Sequence, residues 1–240
     1  MPPFVALIEP LSNSLYILFI WALFFVMLVR YRRLAPERKS TVLWCLPAVF
    51  ALAFGDSFHV IPRIYGSFIA LRGGEVNLVR WLGFGKAASS FTLACFYLFL
   101  AVYARRKFDL PWDAGMAVLV LAFAVRVVML CFPQNHWLAD EAGNWKFYRN
   151  IPFAVQGVGV VALFLQPAGK LPGREARWLR GVAFAIVVSF VCYVAALVGT
   201  LWQPIWGMMM LPKTAAYVVA VWWLYPVEFT PASWREAPAS

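Results

Sequence analysis

Asp56 and His59 are separated by about one helical turn, and Arg63 follows one turn later in the same apolar stretch. Residues at positions i, i+3 and i+7 share one face of a helix, so the three side chains are expected to point the same way. A carboxylate next to an imidazole can orient the ring and stabilise its charged form, as general acid–base catalysis requires. Asp56 and His59 are therefore the predicted catalytic residues. A buried structural pair that joins two helices is the alternative.

Several basic residues also lie inside apolar stretches or at their ends, where charged side chains are costly and commonly functional. With Asp56 as the nearby acid, these cations leave an excess of positive charge that needs a counter-ion. We therefore expect an anionic ligand, such as a carboxylate, a phosphate or a lipid headgroup, held by arginine forks and lysine charges. Snorkelling of single side chains to the lipid headgroups is the alternative. The predicted ligand-binding residues are Arg63, Lys86, Arg126, Arg149, Asn150, Lys213 and Tyr217.

Seven apolar stretches must position these residues. Of the 240 residues, 63% are apolar and 13% are charged, and the mean hydropathy is +0.73. Most stretches are about 20 residues long, enough for a helix to cross the hydrocarbon core. The prediction is an all-α integral membrane protein with one domain, a seven-helix bundle over residues 1–240. The helices are expected at about 11–29, 41–61, 82–104, 114–132, 148–166, 181–202 and 207–225, followed by a flexible cytoplasmic tail over residues 226–240.

The distribution of basic residues predicts the orientation of the bundle. Three alternate loops, after the first, third and fifth stretches, hold twelve of the 21 basic residues. Basic loops face the cytoplasm, which places the N-terminus outside and the C-terminus inside, in the plasma membrane of a prokaryote. Topology thus explains most of the formal charge of +10. A soluble enzyme, a disordered chain and a nucleic-acid-binding domain are excluded as function classes.

The sequence predicts neither a metal nor a cofactor. Asp56, His59 and His136 are the residues that could ligate a metal, but the chain has no paired histidines and no cysteine cluster of a metal-site spacing. The four cysteines lie within the apolar stretches, where small buried residues are the simplest interpretation. Phosphate-binding, dinucleotide-binding and nucleophile-elbow motifs are also absent from the sequence.

The polar residues within the stretches concentrate toward the outer ends of the helices, which predicts a polar, cationic cavity that faces outward. Two functions are consistent with such a cavity. The first is binding or proton-coupled transport of a small anionic or amphipathic ligand, which a short similarity between residues 85–88 and 212–215 favours, since transporters commonly contain repeats. The second is an intramembrane enzyme that acts on a lipid or a lipid-linked substrate with Asp56 and His59. Membrane lipids and the ligand are the expected partners, and the oligomeric state is left open.

Overall fold

The computed structural model describes residues 3–138, 143–168, 170–171 and 173–230. In that part of the chain all regular structure is helical, with two 3₁₀ turns, Pro133–Asn135 and Pro204–Met209. The helices are α1 (Pro3–Arg32), α2 (Pro36–Val42), α3 (Cys45–Leu71), α4 (Val79–Lys107), α5 (Ala114–Leu130), α6 (Trp145–Tyr148), α7 (Ile151–Ala168), α8 (Gly173–Gly199) and α9 (Met210–Phe229).

Six helical segments of the described chain are long and apolar enough to cross a membrane, which is the pattern of a multi-pass membrane protein. They are Leu7–Arg32, Cys45–Leu71, Val79–Lys107, Trp145–Ala168, Gly173–Gly199 and Ile205–Phe229. The remaining predicted span, the fourth, corresponds to α5, which is apolar but has 17 residues. At 1.5 Å per residue α5 is about 25 Å long, a few ångströms less than a typical hydrocarbon core.

α8 and α9 extend beyond the apolar stretches from which they were predicted. α8 begins at Gly173 instead of near residue 181, so its first turns carry the arginines that we assigned to a loop. α9 ends at Phe229, and residues 226–229 are buried helix, so the expected start of a flexible tail at Pro226 is wrong. Hydropathy detects only the apolar part of a helix, which explains both differences. Residues 231–240 of the predicted tail lie outside the described residues.

α3 continues past Pro62, where the predicted helix ended, and stops at Leu71. Proline cannot donate to the carbonyl four residues earlier, which is that of Phe58. Gly85 of α4 lies against this carbonyl, since a Cβ atom at Gly85 would lie 2.2 Å from the Phe58 oxygen. The close contact between the two backbones is one reason why α3 tolerates the proline. Asp56 and His59 consequently lie near the middle of α3, not in its last two turns.

Small residues bring α3 and α4 together along a seam below this point. A Cβ atom at Gly55 would lie 1.6 Å from the Thr92 hydroxyl, so glycine is required for the observed spacing. Ser89 fills the same seam and donates its hydroxyl to the Gly55 carbonyl at 2.9 Å. Seams of small residues are typical of helix pairs in membranes, where close packing drives association. The seam fixes the position of α3, and with it Asp56 and His59, relative to α4.

α5 lies alongside α4 and runs in the opposite direction. At one end the Arg105 guanidinium stands 4.6 Å from the centre of the Trp112 ring, just before α5 begins. Near the other end of α5, Arg126 Nε donates to the carbonyl of Ser90 on α4 at 3.3 Å. α7 contacts α4 through Gln156, whose Nε2 donates to the Ala94 carbonyl at 3.3 Å. α4 therefore occupies a central position, with α3 on one side and α5 and α7 on another.

Candidate functional site

The predicted site residues on α3 and α9 meet in the interior of the bundle. The Asp56 carboxylate accepts a short hydrogen bond from the Tyr16 hydroxyl of α1. Lys213 of α9 is the basic residue whose charge acts on Asp56. Asp56 is therefore hydrogen-bonded to α1 and lies within electrostatic range of Lys213 on α9. The partner from α1 was not predicted, because the sequence does not indicate which tyrosine lies opposite Asp56.

Lys213 is surrounded by tyrosine side chains. Its ammonium nitrogen lies 5.2 Å from the ring centre of Tyr193 and 5.4 Å from that of Tyr217. The Tyr217 hydroxyl shares a 3.0 Å hydrogen bond with the Tyr97 hydroxyl of α4. Aromatic faces stabilise a cation and are more effective where water is excluded. The predicted ligand residues Lys213 and Tyr217 thus lie together, with an acid on one side and aromatic rings on the other.

His59 does not form the predicted pair with Asp56. Within the described part of the chain, the buried Nδ1 atom of His59 has no hydrogen-bond partner. The Asp56 carboxylate instead accepts its hydrogen bond from the Tyr16 hydroxyl. The charges that act on His59 are all positive, from Arg63, Lys86 and Lys213. A buried nitrogen without a partner is costly and commonly marks a position that a ligand or a water molecule completes. His59 therefore faces the cationic part of the cluster.

Arg126 is 2% exposed and is held by neutral groups of α4 and of residues 149–153 around the start of α7. In addition to the Ser90 carbonyl, its NH1 atom donates to the Arg149 carbonyl at 3.2 Å and to Asn150 Oδ1 at 3.1 Å. Its guanidinium carbon lies 4.1 Å from the ring centre of Phe153. These partners are uncharged, so they bind Arg126 without neutralising its charge. Arg126 therefore joins α4, α5 and the start of α7, a structural role that could not be predicted from its depth alone.

Arg149 extends this arrangement into the loop between α5 and α7. Its NH1 atom donates to Asn135 Oδ1 at 2.7 Å, and its guanidinium carbon lies 4.3 Å from the ring centre of Trp137. Asn135 in turn donates to the carbonyls at the end of α5, with 2.8 Å to that of Met129. The predicted ligand residues thus lie in two adjoining regions, because the charge of Arg126 also acts on Lys213. Arg126, Arg149 and Asn150 lie at the α5–α7 junction, and the others lie around α3 and α9.

Arg63 is close to an acid that the sequence analysis did not consider. Its NH1 atom lies 3.9 Å from Glu9 Oε1 of α1, and both side chains are exposed to a similar degree. Ion pairs of this kind contribute little to stability because solvent screens them. Arg63 therefore belongs to the surface of the cluster, whereas Asp56 and Lys213 belong to its interior.

The predicted outward-facing cavity stays a prediction. Two grooves are described for the structure, with volumes of about 400 Å³ and 560 Å³. The first lies between α8 and α9 near Arg177, and the second follows α8 from Phe190 to Gly199 and continues to Trp202 and Trp206. Neither groove is lined by Asp56, His59, Lys213 or another predicted site residue. Arg126 and Tyr217 are buried, and Asp56, His59 and Lys213 are partly buried.

A second charged cluster lies at the opposite end of the bundle and was not predicted. Its centre is Glu228, which is 2% exposed and accepts a hydrogen bond from the Tyr103 hydroxyl. Lys107 Nζ lies 2.8 Å from Glu228 Oε1 and 2.7 Å from Glu175 Oε1, and Arg38 NH2 lies 3.2 Å from Glu228 Oε2. The cluster joins α2, α4, α8 and α9. The sequence feature that could have indicated this cluster is Glu228, a single acid in the apolar run before residue 230.

Comparison with protein-family models, with curated proteins and with solved structures gives no significant match to this chain. The function is therefore argued from the geometry of the two clusters and from the distribution of charge.

Proposed function

We propose that the chain is a seven-span membrane protein of a prokaryotic plasma membrane, with its N-terminus outside and its C-terminus in the cytoplasm. Basic residues concentrate in the connections after α1 and α4 and around the start of α8. These connections lie on one side only if both α5 and α7 cross the membrane. The positive-inside rule then assigns that side to the cytoplasm.

The second charged cluster, formed by Glu228, Lys107, Glu175 and Arg38 and called the inner cluster from here on, supports a membrane crossing by α5. Lys107 at the end of α4 and Glu175 at the start of α8 are 2.7 Å apart, so both lie at the same face of the bundle. Between them the chain passes through α5 and then α7. If α7 crosses once, the chain can return to that face only if α5 also crosses. A length of about 25 Å can be accommodated by local thinning of the bilayer at a modest cost.

A pair of topology reporters tests this arrangement. We expect a reporter fused after Ser240 to report the cytoplasm and a reporter inserted at Gly73, in the connection between α3 and α4, to report the exterior. If both positions lie on the same side, α5 does not cross and the proposed topology is wrong. If the two signals are exchanged, the seven spans stand and the orientation is wrong.

We propose further that this protein binds a small anionic or amphipathic ligand beside Lys213. The observation that supports this is the composition of the cluster. Asp56 is its interior acid, whereas the charge of Arg126, which has neutral hydrogen-bond partners, acts on Lys213 in addition. An anion would balance this charge, and the rings of Tyr193 and Tyr217 offer an apolar surface to the rest of the ligand. A carboxylate with an apolar chain has both properties.

Asp56 would then act as an internal substitute for the ligand. With the site empty, its carboxylate neutralises Lys213, and an incoming anion competes with it for the same ammonium group. A proton bound to Asp56 removes this competition, which would couple ligand binding to protons. Tyr16, His59, Tyr193 and Tyr217 are further ionisable groups around Asp56 and Lys213, and the charges of Arg126 and Arg63 also act on Lys213.

The variant Asp56→Asn tests this competition, because asparagine still accepts the bond from Tyr16 but carries no charge. We expect decanoate, a carboxylate with an apolar chain, to bind this variant more tightly than it binds the wild type. The expected change is about tenfold, the result of removing roughly 1.4 kcal/mol of competing attraction. Glu37→Asn, an exposed acid of α2, serves as the control and should leave the affinity unchanged. Weaker binding by Asp56→Asn would contradict the competition.

Transport is tested with the same variant in vesicles. Labelled decanoate should enter reconstituted vesicles in a pH-dependent manner, and the pH dependence should disappear in Asp56→Asn. The enzyme hypothesis ranks second because Asp56 bonds Tyr16 and not His59. A lipid whose mass changes with the wild type but not with His59→Ala would reverse this ranking.

A further inference from the structure

The start of α8 carries an excess of positive charge. Residues 170–180 include four basic residues and one acid, Glu175. The carboxylate of Glu175 lies 2.7 Å from Lys107 Nζ of α4, so this acid contributes to the inner cluster. Arg177 and Arg180 are one turn apart, and both are exposed on the surface of α8. This face of the helix therefore presents two guanidinium groups to its surroundings.

These two arginines stand at one end of a groove between α8 and α9, which we call the α8–α9 groove. Its volume is about 400 Å³, and it is lined by Arg177, Trp178, Arg180, Gly181, Phe184 and Trp223. Gly181 allows the Trp223 ring of α9 to pack closely against α8, because a Cβ atom there would lie 2.5 Å from that ring. The ring centres of Trp178 and Trp223 are 5.7 Å apart. The floor of the groove is consequently aromatic and apolar.

The order of the lining residues along α8 matches the order of groups in a phospholipid. Arg177, Gly181 and Phe184 follow one another at intervals of about one turn, so Phe184 lies about 10 Å further along the helix axis than Arg177. Arg180 also donates to the Ala168 carbonyl at the end of α7 at 3.2 Å, which holds its side chain at the rim. The end of the groove that carries Arg177 and Arg180 lies at the end of the bundle, and the apolar end near Phe184 lies deeper in the bundle.

We propose that the α8–α9 groove binds one anionic phospholipid of the cytoplasmic leaflet, with the phosphate on Arg177 and Arg180 and an acyl chain along Gly181 and Phe184. Guanidinium groups form paired hydrogen bonds to phosphate oxygens, and tryptophan prefers the interfacial depth at which headgroup and chain meet. Basic pockets between transmembrane helices are typical headgroup sites. The assignment to the cytoplasmic leaflet rests on the topology proposed above, whereas the binding site itself does not.

Native mass spectrometry of the detergent-purified full chain tests this site with phosphatidylglycerol and with phosphatidylcholine of the same acyl chains. We expect the wild type to prefer the anionic lipid. Each arginine near a headgroup raises the affinity for an anionic lipid about fivefold. Arg177→Gln/Arg180→Gln should therefore lower the affinity for the first bound phosphatidylglycerol by about 25-fold. The control Arg32→Gln/Arg33→Gln removes the same charge from exposed positions at the end of α1 and should change binding less than twofold.

Two results would overturn the proposal. One is a wild type that binds both lipids equally, and the other is an equal loss in the control and in the groove variant. Because Arg180 also contacts α7, the single variant Arg177→Gln keeps the test valid if the double variant does not fold, and it should lose about fivefold. If the topology reporters fail while this difference persists, the groove still binds lipid and only its assignment to a leaflet is wrong.

Discussion

Substitution of Glu228 by glutamine probes the cluster that closes the inner end of the bundle. Glutamine has nearly the same size and still accepts a hydrogen bond from Tyr103, but it cannot neutralise Lys107 or Arg38. A buried charge-assisted hydrogen bond contributes about 1.5–3 kcal/mol, and a partly exposed ion pair contributes at most about 1 kcal/mol. The bond to Lys107 belongs to the first class, and Arg38, whose side chain is 33% exposed, belongs to the second.

The free energy of unfolding is expected to decrease by about 2–3 kcal/mol. This is less than the roughly 3–5 kcal/mol lost when a buried charge is left without any partner. The reason is that Lys107 keeps Glu175 at 2.7 Å as a partner. For a chain of this length the loss corresponds to a decrease of about 5–10 °C in the melting temperature. Thermal unfolding in detergent, followed by tryptophan fluorescence, measures this value. Glu37→Gln is the matched control, because it removes the same charge from an exposed position in the first turn of α2.

A double-mutant cycle separates the ion pair from unrelated effects of the substitution. Lys107→Met combined with Glu228→Gln should show a coupling of about 1 kcal/mol or more, since the two side chains are in direct contact. The reasoning is refuted if Glu228→Gln melts at the temperature of the Glu37→Gln control. Additive effects of the two substitutions would also show that the 2.8 Å contact contributes nothing.

Two further predictions concern the helix contacts that position the candidate site around Asp56 and Lys213. Gly85→Ala should destabilise the protein by about 1–3 kcal/mol, because the added methyl group meets the backbone of Phe58. Gly207→Ala should melt like the wild type, because its methyl group would make an ordinary contact of 3.9 Å with Thr200. Arg126→Lys should lose about 2–4 kcal/mol, because one ammonium group cannot reach the carbonyls of α4 and α7 together. Chemical denaturation tests both, and an unchanged midpoint in either variant would contradict the corresponding contact.

The helical class of this protein could be predicted from hydropathy because long apolar runs in lipid have one common solution. The helix ends could not be predicted equally well. α8 begins within a charged segment, and α3 passes through Pro62 because Gly85 allows α4 to approach. Such features depend on a neighbouring helix, and the sequence does not state which helices are neighbours.

The candidate site was predicted in part for the same reason. Residue type and depth indicated that Lys213 and Asp56 would face inward, which agrees with the structure. Spacing along α3 suggested that Asp56 would bond His59, but the carboxylate bonds Tyr16 of α1 instead. Arg126 was grouped with the ligand residues by charge alone, although backbone carbonyls satisfy it. For both Asp56 and Arg126, the hydrogen-bond partner lies on another part of the chain that their own sequence neighbourhood does not indicate.

The most direct test of the account is the affinity of the purified protein for decanoate when Lys213 is replaced. Lys213→Met keeps the length of the side chain and removes its charge, and Lys170→Met makes the same change at an exposed residue. We predict that Lys213→Met weakens decanoate binding at least tenfold, the equivalent of about 1.4 kcal/mol, and that Lys170→Met does not. Equal affinities of the wild type and both variants, measured by titration calorimetry, would contradict an anion site beside Lys213.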